Sequence, residues 1–84
     1  MRDTLRSPRQ IELRTQLRNL RERCDLTQAE VAKRLGKPQS FVAKYEGGER
    51  RLSVVEFIDV VRALGADPVA VLRQLIPILD KARP

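Results

Sequence analysis

Histidine and tryptophan are absent from the 84-residue sequence, cysteine occurs once, and the aromatic side chains are limited to Phe41, Tyr45 and Phe57. Each scarcity removes a class of chemistry. Without histidine there is no common general base, and no nucleophile elbow, phosphate loop or paired-carboxylate constellation stands in for it, so catalysis is not expected. A zinc site would have to be built from oxygen ligands and the one thiolate of Cys24, which rules against a metal, and no cofactor motif is present. A lone cysteine cannot close an intrachain disulfide. No apolar run approaches the roughly 20 residues that span a bilayer, and Met1-Arg2-Asp3-Thr4-Leu5-Arg6 lacks a signal-peptide core, so the expectation is a cytoplasmic chain with no membrane association. Few aromatics also argue against a single-strand RNA reader, which stacks bases on exposed rings.

What is abundant is positive charge. Seventeen Lys and Arg stand against eleven Asp and Glu, a formal balance of +6, which points to a polyanionic partner. The length allows one domain, burying roughly two-thirds of the surface that the unfolded chain exposes. Residues 1–6 and the last four carry no helix signal and are expected to fray, leaving 7–80 as the domain.

Helix signals recur along that stretch and no strand pattern competes with them. Ser7-Pro8 with Gln10 reads as a capped start with Pro in the first turn. Leu13, Leu17, Leu20 and Cys24 follow at spacings of four, three and four, one face of a helix, with Cys24 as a buried small residue at its end. Asp25 is the expected stop, Leu26 a hydrophobic staple, and Thr27 with Glu30 a capping box that opens a short second helix through Leu35. Gly36 ends it. Lys37-Pro38 starts a third helix through Glu46, which Gly47-Gly48 break. Ser53 and Glu56 box a fourth, with Val54, Phe57, Ile58, Val61 and Leu64 expected inward and Gly65 past its end. Asp67-Pro68 opens a fifth over 68–79, with Leu72, Leu75, Ile76 and Leu79 in helical register, and Pro77 predicts a kink or stop near 74–76. The fold class is therefore all-α, a compact five-helix domain.

Between the second and third helices the connection is very short, and the polar residues around it are of the types that read DNA. Gln28 lies at a helix N-terminus, where free backbone N–H groups suit a phosphate. Gln39 can pair bidentately with the N6 and N7 edge of adenine, Ser40 can donate or accept, and Phe41 suits either a thymine methyl or packing on the second helix. Arg50 and Arg51 follow the third helix and suit backbone phosphate. Val42 and Tyr45 fall on the inward side.

The run Leu26-Thr27-Gln28-Ala29-Glu30-Val31-Ala32, then Leu35-Gly36, Gln39-Ser40 and Glu46, resembles the Cro/repressor-type, or Xre-like, helix-turn-helix family. The likeness extends from about Leu17 to Asp67. Pro38-Gln39-Ser40-Phe41-Val42 with Gly48-Glu49-Arg50-Arg51-Leu52 is similar to a bacterial subgroup of small regulators. The resemblance implies a repressor-like DNA-binding domain with its helix-turn-helix at about 27–46, helix 3 in the major groove and helix 2 across the backbone. It implies that Gln39, Ser40, Ala43 and Lys44 face bases, that Gln28 and the loop after helix 3 meet phosphate, and that Ala32 lets helices 2 and 3 approach. It further implies an ion pair between Arg21 and Glu46. Two departures stand out: Asp25 where the family usually has Gly, and Pro38 where a Ser or Thr cap is common, which leaves Lys37 nearest the groove edge.

The functional expectation is a transcriptional regulator of bacterial or phage type bound to a double-stranded DNA operator as a homodimer, because one such domain covers little DNA and two-fold symmetry doubles its contacts. Val71, Leu75, Ile78 and Leu79 form the expected dimer interface. Alternatives on the same fold are an antitoxin, a restriction-modification controller, or a protein-interaction adaptor that holds a protein partner with its C-terminal helix.

Overall fold

The computed structural model describes residues 6–82. Their elements are α1 (Pro8–Arg23), α2 (Gln28–Leu35), α3 (Gln39–Gly47), α4 (Val54–Ala63) and α5 (Pro68–Lys81), with no strand among the described residues. Fraying at residues 1–5, 83 and 84 concerns positions outside the described residues. Lys81 and Ala82, also expected to fray, are the last residue and the C-cap of α5.

Local chemistry accounts for the helix starts. The Ser7 hydroxyl accepts from the Gln10 amide at 3.1 Å with Pro8 in the first turn, and Asp67 Oδ1 accepts from the Val69 amide at 3.0 Å ahead of Pro68. Complete capping boxes open α2 (Thr27 and Glu30) and α4 (Ser53 and Glu56), so each box satisfies two of the amides that a helix start leaves unpaired. Pro38 is the N-cap of α3 and supplies no side-chain bond, which sets the helix start at Gln39, one residue beyond Pro38.

One closure is repeated at the C-termini of the first four helices. A residue with positive φ is followed by an amide that reaches back five positions: Leu26 to the Arg21 carbonyl (3.2 Å), Lys37 to Ala32 (3.0 Å), Glu49 to Lys44 (2.8 Å) and Ala66 to Val61 (3.1 Å). Glycine occupies the left-handed position in three cases and Asp25, at φ 60°, in the fourth, where an aspartate is among the few side chains that tolerate it.

The core joins all five helices: Leu17 from α1, Val31 and Ala32 from α2, Val42 and Tyr45 from α3, Phe57, Val60 and Val61 from α4 with its cap Leu64, and Leu75 from α5. Ala32 of α2 is buried in this core, and α2 packs on α3. Arg9 and Asp80 lie 3.8 Å apart, so α5 returns antiparallel to α1.

Four expectations are corrected. Val54 is 75% exposed while Val60 is fully buried; the inward stripe of α4 is Phe57, Val60, Val61 and Leu64, and Val54 lies one turn before it. The stop expected at Pro77 does not occur, since α5 continues to Lys81; Pro77 is on the exposed side, where water can meet the carbonyl that loses its amide donor, while Ile78 and Leu79 remain half-buried. Cys24 is exposed at the C-cap of α1, its thiol 3.5 Å from the Leu64 carbonyl, because the chain turns away there. Leu75 is 3% exposed and belongs to the monomer core, so it cannot serve a dimer interface. Val71 and Leu79 also pack on the core and Ile78 is half-buried, while the apolar side chains that α5 leaves outward are Val69, Leu72 and Ile76.

Leu75→Ala is expected to cost roughly 2–5 kcal/mol by leaving a cavity, and Val55→Thr, at an exposed position of α4, to change stability by less than about 0.5 kcal/mol; urea unfolding of the two variants makes the comparison. The capping boxes also predict a pH dependence. Bonds from the backbone and hydroxyl of Thr27 hold the Glu30 carboxyl below its usual range, and Arg50, then the Ser53 amide, do the same for Glu56. A depressed folded-state value means that the unfolded chain takes up the proton first. Their contribution is therefore complete above the ordinary glutamate pKa of about 4.3 and is lost as pH falls through the folded value. Glu56→Gln should lower the neutral-pH plateau by the contribution that acidification removes and leave the acid end of the stability profile nearly unchanged, which flattens the limb between them.

Candidate nucleic-acid interface

At the centre of the helix-turn-helix a carboxylate is shared by three elements. Arg21 of α1 donates Nε to Glu46 Oε2 at 2.7 Å and Nη2 to Oε1 at 3.0 Å, a bidentate pair, and its Nη1 donates to the Leu26 carbonyl at 2.8 Å. Gln28 Nε2 donates to the same Glu46 Oε1 at 3.0 Å. The ion pair is nearly withdrawn from water, the two side chains being 11% and 4% exposed, and the bond from Glu46 holds the Arg21 guanidinium above the usual arginine range. The Arg21–Glu46 pair implied by the family likeness is therefore present. The use of Gln28 in it was not anticipated: one of its two amide hydrogens is spent inward, on α3.

That network fixes which side of α3 faces out. Val42 and Tyr45 are buried and Phe41 and Glu46 half-buried, while Gln39, Ser40, Ala43 and Lys44 are all exposed, pairing at i and i+4 along one face. Burial pushes the Tyr45 phenol well above its ordinary range, which keeps it neutral inside the fold. Gln28 and Gln39 border the same shallow depression, so the start of α2 adjoins the start of α3.

Cations lie at both ends of α3. Lys37 precedes it and is exposed, Arg51 follows it and is exposed. Arg50 also has a partner inside the fold: its Nη1 donates to Glu56 Oε1 at 3.0 Å, which ties it to the cap of α4. Phe41 departs from a base-contacting role. It is half-buried and packed against the core, edge-on to Tyr45 with ring centroids 5.6 Å apart, and so does not stand in the outward row.

Arg14, which the sequence places on the basic face of α1, reaches α3. A Cβ built at Gly48, the C-cap of α3 at φ 82°, would lie 2.7 Å from Arg14 Cζ, so this guanidinium sits over the carbonyl end of α3, where a cation is favoured. The signal available was the seven-residue spacing of Arg14 and Arg21, two turns along one face of α1.

No group of three or more possible metal ligands occurs among the described residues, and no described helix is long and apolar enough to cross a membrane. The site is an exposed polar helix face with cations at both ends. Because removing one member of a buried pair strands the other charge, Arg21→Met or Glu46→Gln alone should cost about 3–5 kcal/mol. The double variant should cost clearly less than the sum, and a thermodynamic cycle without coupling would remove the pair from its central place.

A family model described as a helix-turn-helix domain matches residues 12–75. Among solved structures, an Xre-family-like protein from Pseudomonas syringae pv. tomato str. DC3000 is 47% identical, over 83% of this chain and 85% of that one, with a TM-score of 0.79. The restriction-modification controller protein C.AhdI from Aeromonas hydrophila is 30% identical, over 79% of this chain and 94% of that one, with a TM-score of 0.67. A point mutant of the controller protein C.Esp1396I shares the fold at 18% identity and a TM-score of 0.74, over 96% of this chain and 98% of that one. Among curated protein sequences none matches. With a family model spanning most of its length and a relative nearly half identical, the chain belongs to the Xre-like helix-turn-helix family of DNA-binding regulators.

Proposed function

We propose that this protein is a sequence-specific transcriptional regulator that inserts α3 into the major groove of a double-stranded operator. The observation that carries the reading is the outward row Gln39, Ser40, Ala43 and Lys44, four short or hydrogen-bonding side chains on one face of a helix whose opposite face is buried. In the groove Gln39 pairs with an adenine edge, Ala43 meets a thymine methyl, and Ser40 and Lys44 bond to base edges or to the phosphate beside them. The capping box of α2 takes up the amides of Thr27 and Glu30 and leaves those of Gln28 and Ala29 for a backbone phosphate. Lys37, Arg50 and Arg51 supply the sequence-independent attraction.

The operator-bound form in this reading is a homodimer with its two α3 helices about 34 Å apart, one turn of DNA. Val69, Leu72 and Ile76, the outward apolar stripe of α5, are its contact surface. The same reading puts the protein in the cytoplasm with its DNA. A second, narrower reading is favoured by one observation: C.AhdI, a restriction-modification controller, is matched over 94% of its length, which supports a controller role, and a neighbouring restriction-modification gene pair would select it. An adaptor has no use for the polar row on α3.

Selection of bound duplexes from a random library near physiological salt, with solution mass measured alongside, should return a two-fold symmetric site and a dimer. Gln39→Ala should then cost roughly 1–3 kcal/mol on that site and relax its specificity at one position, whereas Arg51→Ala should weaken all sequences alike and lower the salt slope by about 1. Equal effects of both substitutions on unrelated duplexes would remove α3 from base reading.

A further inference from the structure

Phe41 is the one large apolar side chain on the half of α3 that borders solvent, and two cations share its ring. Lys37 Nζ, in the turn before α3, lies 5.4 Å from the ring centroid. Arg50 Cζ, in the loop after α3, lies 4.8 Å from it. Both distances fall within the reach of a cation–π contact. Behind the ring, Tyr45 closes edge-on at 72°, so the ring is backed by the core. Arg50 is held from its far side as well, because Glu56 Oε1 accepts both its Nη1 and, at 2.9 Å, the Ser53 amide that begins α4. A cation before the helix and a cation after it are thereby brought to one ring, and that ring is tied to the cap of α4.

We propose that Phe41 is a positioning residue for DNA-backbone binding, its ring holding Lys37 and Arg50 together as a two-cation clasp for the phosphates beside the base-contacting row. This rests on the reading of α3 as the groove helix. Two cations drawn to one ring add their positive potentials beside it, and an anion near both is attracted by each, which a phosphate provides. Long basic side chains also lose much rotamer freedom when they engage a phosphate, and a ring that holds them beforehand reduces that loss. The Glu56 bond uses one of the five N–H groups of the Arg50 guanidinium, so ion pair and phosphate contact are compatible. Phe41 itself touches no base in this arrangement.

The probe is a random-sequence duplex, since backbone contacts do not depend on sequence, and the readout is the slope of log affinity against log salt. Each phosphate neutralised on B-DNA contributes about 0.9 to that slope. Phe41→Leu keeps the apolar packing and removes the π face; it should lower the slope by one to two, while Phe41→Tyr keeps the wild-type slope. In the free protein the Lys37 side-chain protons should be shifted upfield by the ring in wild type and Phe41→Tyr and return to ordinary positions in Phe41→Leu. A folded Phe41→Leu variant with the wild-type slope overturns the clasp, whatever its stability. Should that variant not fold, Lys37→Gln and Arg50→Gln take its place: each must lower the slope by about one, and an unchanged slope in both overturns the proposal. A wild-type protein without salt-dependent duplex binding overturns the groove-helix reading and the clasp together, whereas wild-type binding with an unaffected Phe41→Leu slope overturns the clasp alone.

Discussion

The bidentate bond between Arg21 and Glu46 is the constraint on which the rest of this small structure depends. Two charges nearly removed from water are stable there because both are hydrogen-bonded: the carboxylate by Arg21 and Gln28, the guanidinium by Glu46 and the Leu26 carbonyl. Such a pair contributes little net stability against an apolar substitute, but it penalises any arrangement that separates its members. Here the members come from α1 and α3, with the loop before α2 and the first residue of α2 joined to them. The consequence is an orientation: α3 cannot rotate about its axis without stranding Glu46, so its Gln39–Lys44 face is kept outward.

Short helices need such external support. α2 and α3 have eight and nine residues, below the length at which an isolated helix is stable in water. A capping box closes the start of α2, left-handed C-caps close the ends of both, and Val31, Ala32, Val42 and Tyr45 bury their inner faces. The hairpin between them is correspondingly tight, with Lys37 bonding back to Ala32 immediately before the Pro38 that caps α3. In the proposed reading, rigidity at this corner serves recognition, since a polar row held by packing loses less freedom on meeting DNA.

Charge is arranged around the same helix in two roles. Arg14 and Arg21, two turns apart on α1, both reach α3, one over the Gly48 cap and one to Glu46. They act inside the fold. Lys37 and Arg51 border the outer face, and Arg50 stands between the roles, bonded to Glu56 yet 38% exposed. The net charge of +6 is therefore not one undivided binding surface; part of it is the scaffold that presents the rest.

What the sequence by itself determined is what short-range chemistry controls. Ser7, Thr27, Ser53 and Asp67 cap the helices they precede, Asp25 and the glycines end them, and the three-to-four spacing of apolar residues places Leu17, Val42 and Tyr45 inside, because caps and periodicity act within one or two turns. The Arg21–Glu46 pair was legible only through likeness to a family, its members lying 25 residues apart. The tertiary structure alone decided how far each stripe is rotated toward its neighbours: Val60 rather than Val54 in the core, Leu75 inside, and Val69, Leu72 and Ile76 outside. It also decided that α5 runs through Pro77, that Gln28 turns to Glu46, and that Phe41 lies under Lys37 and Arg50. These outcomes depend on which surfaces meet, and a helical period specifies a face without specifying the partner that covers it.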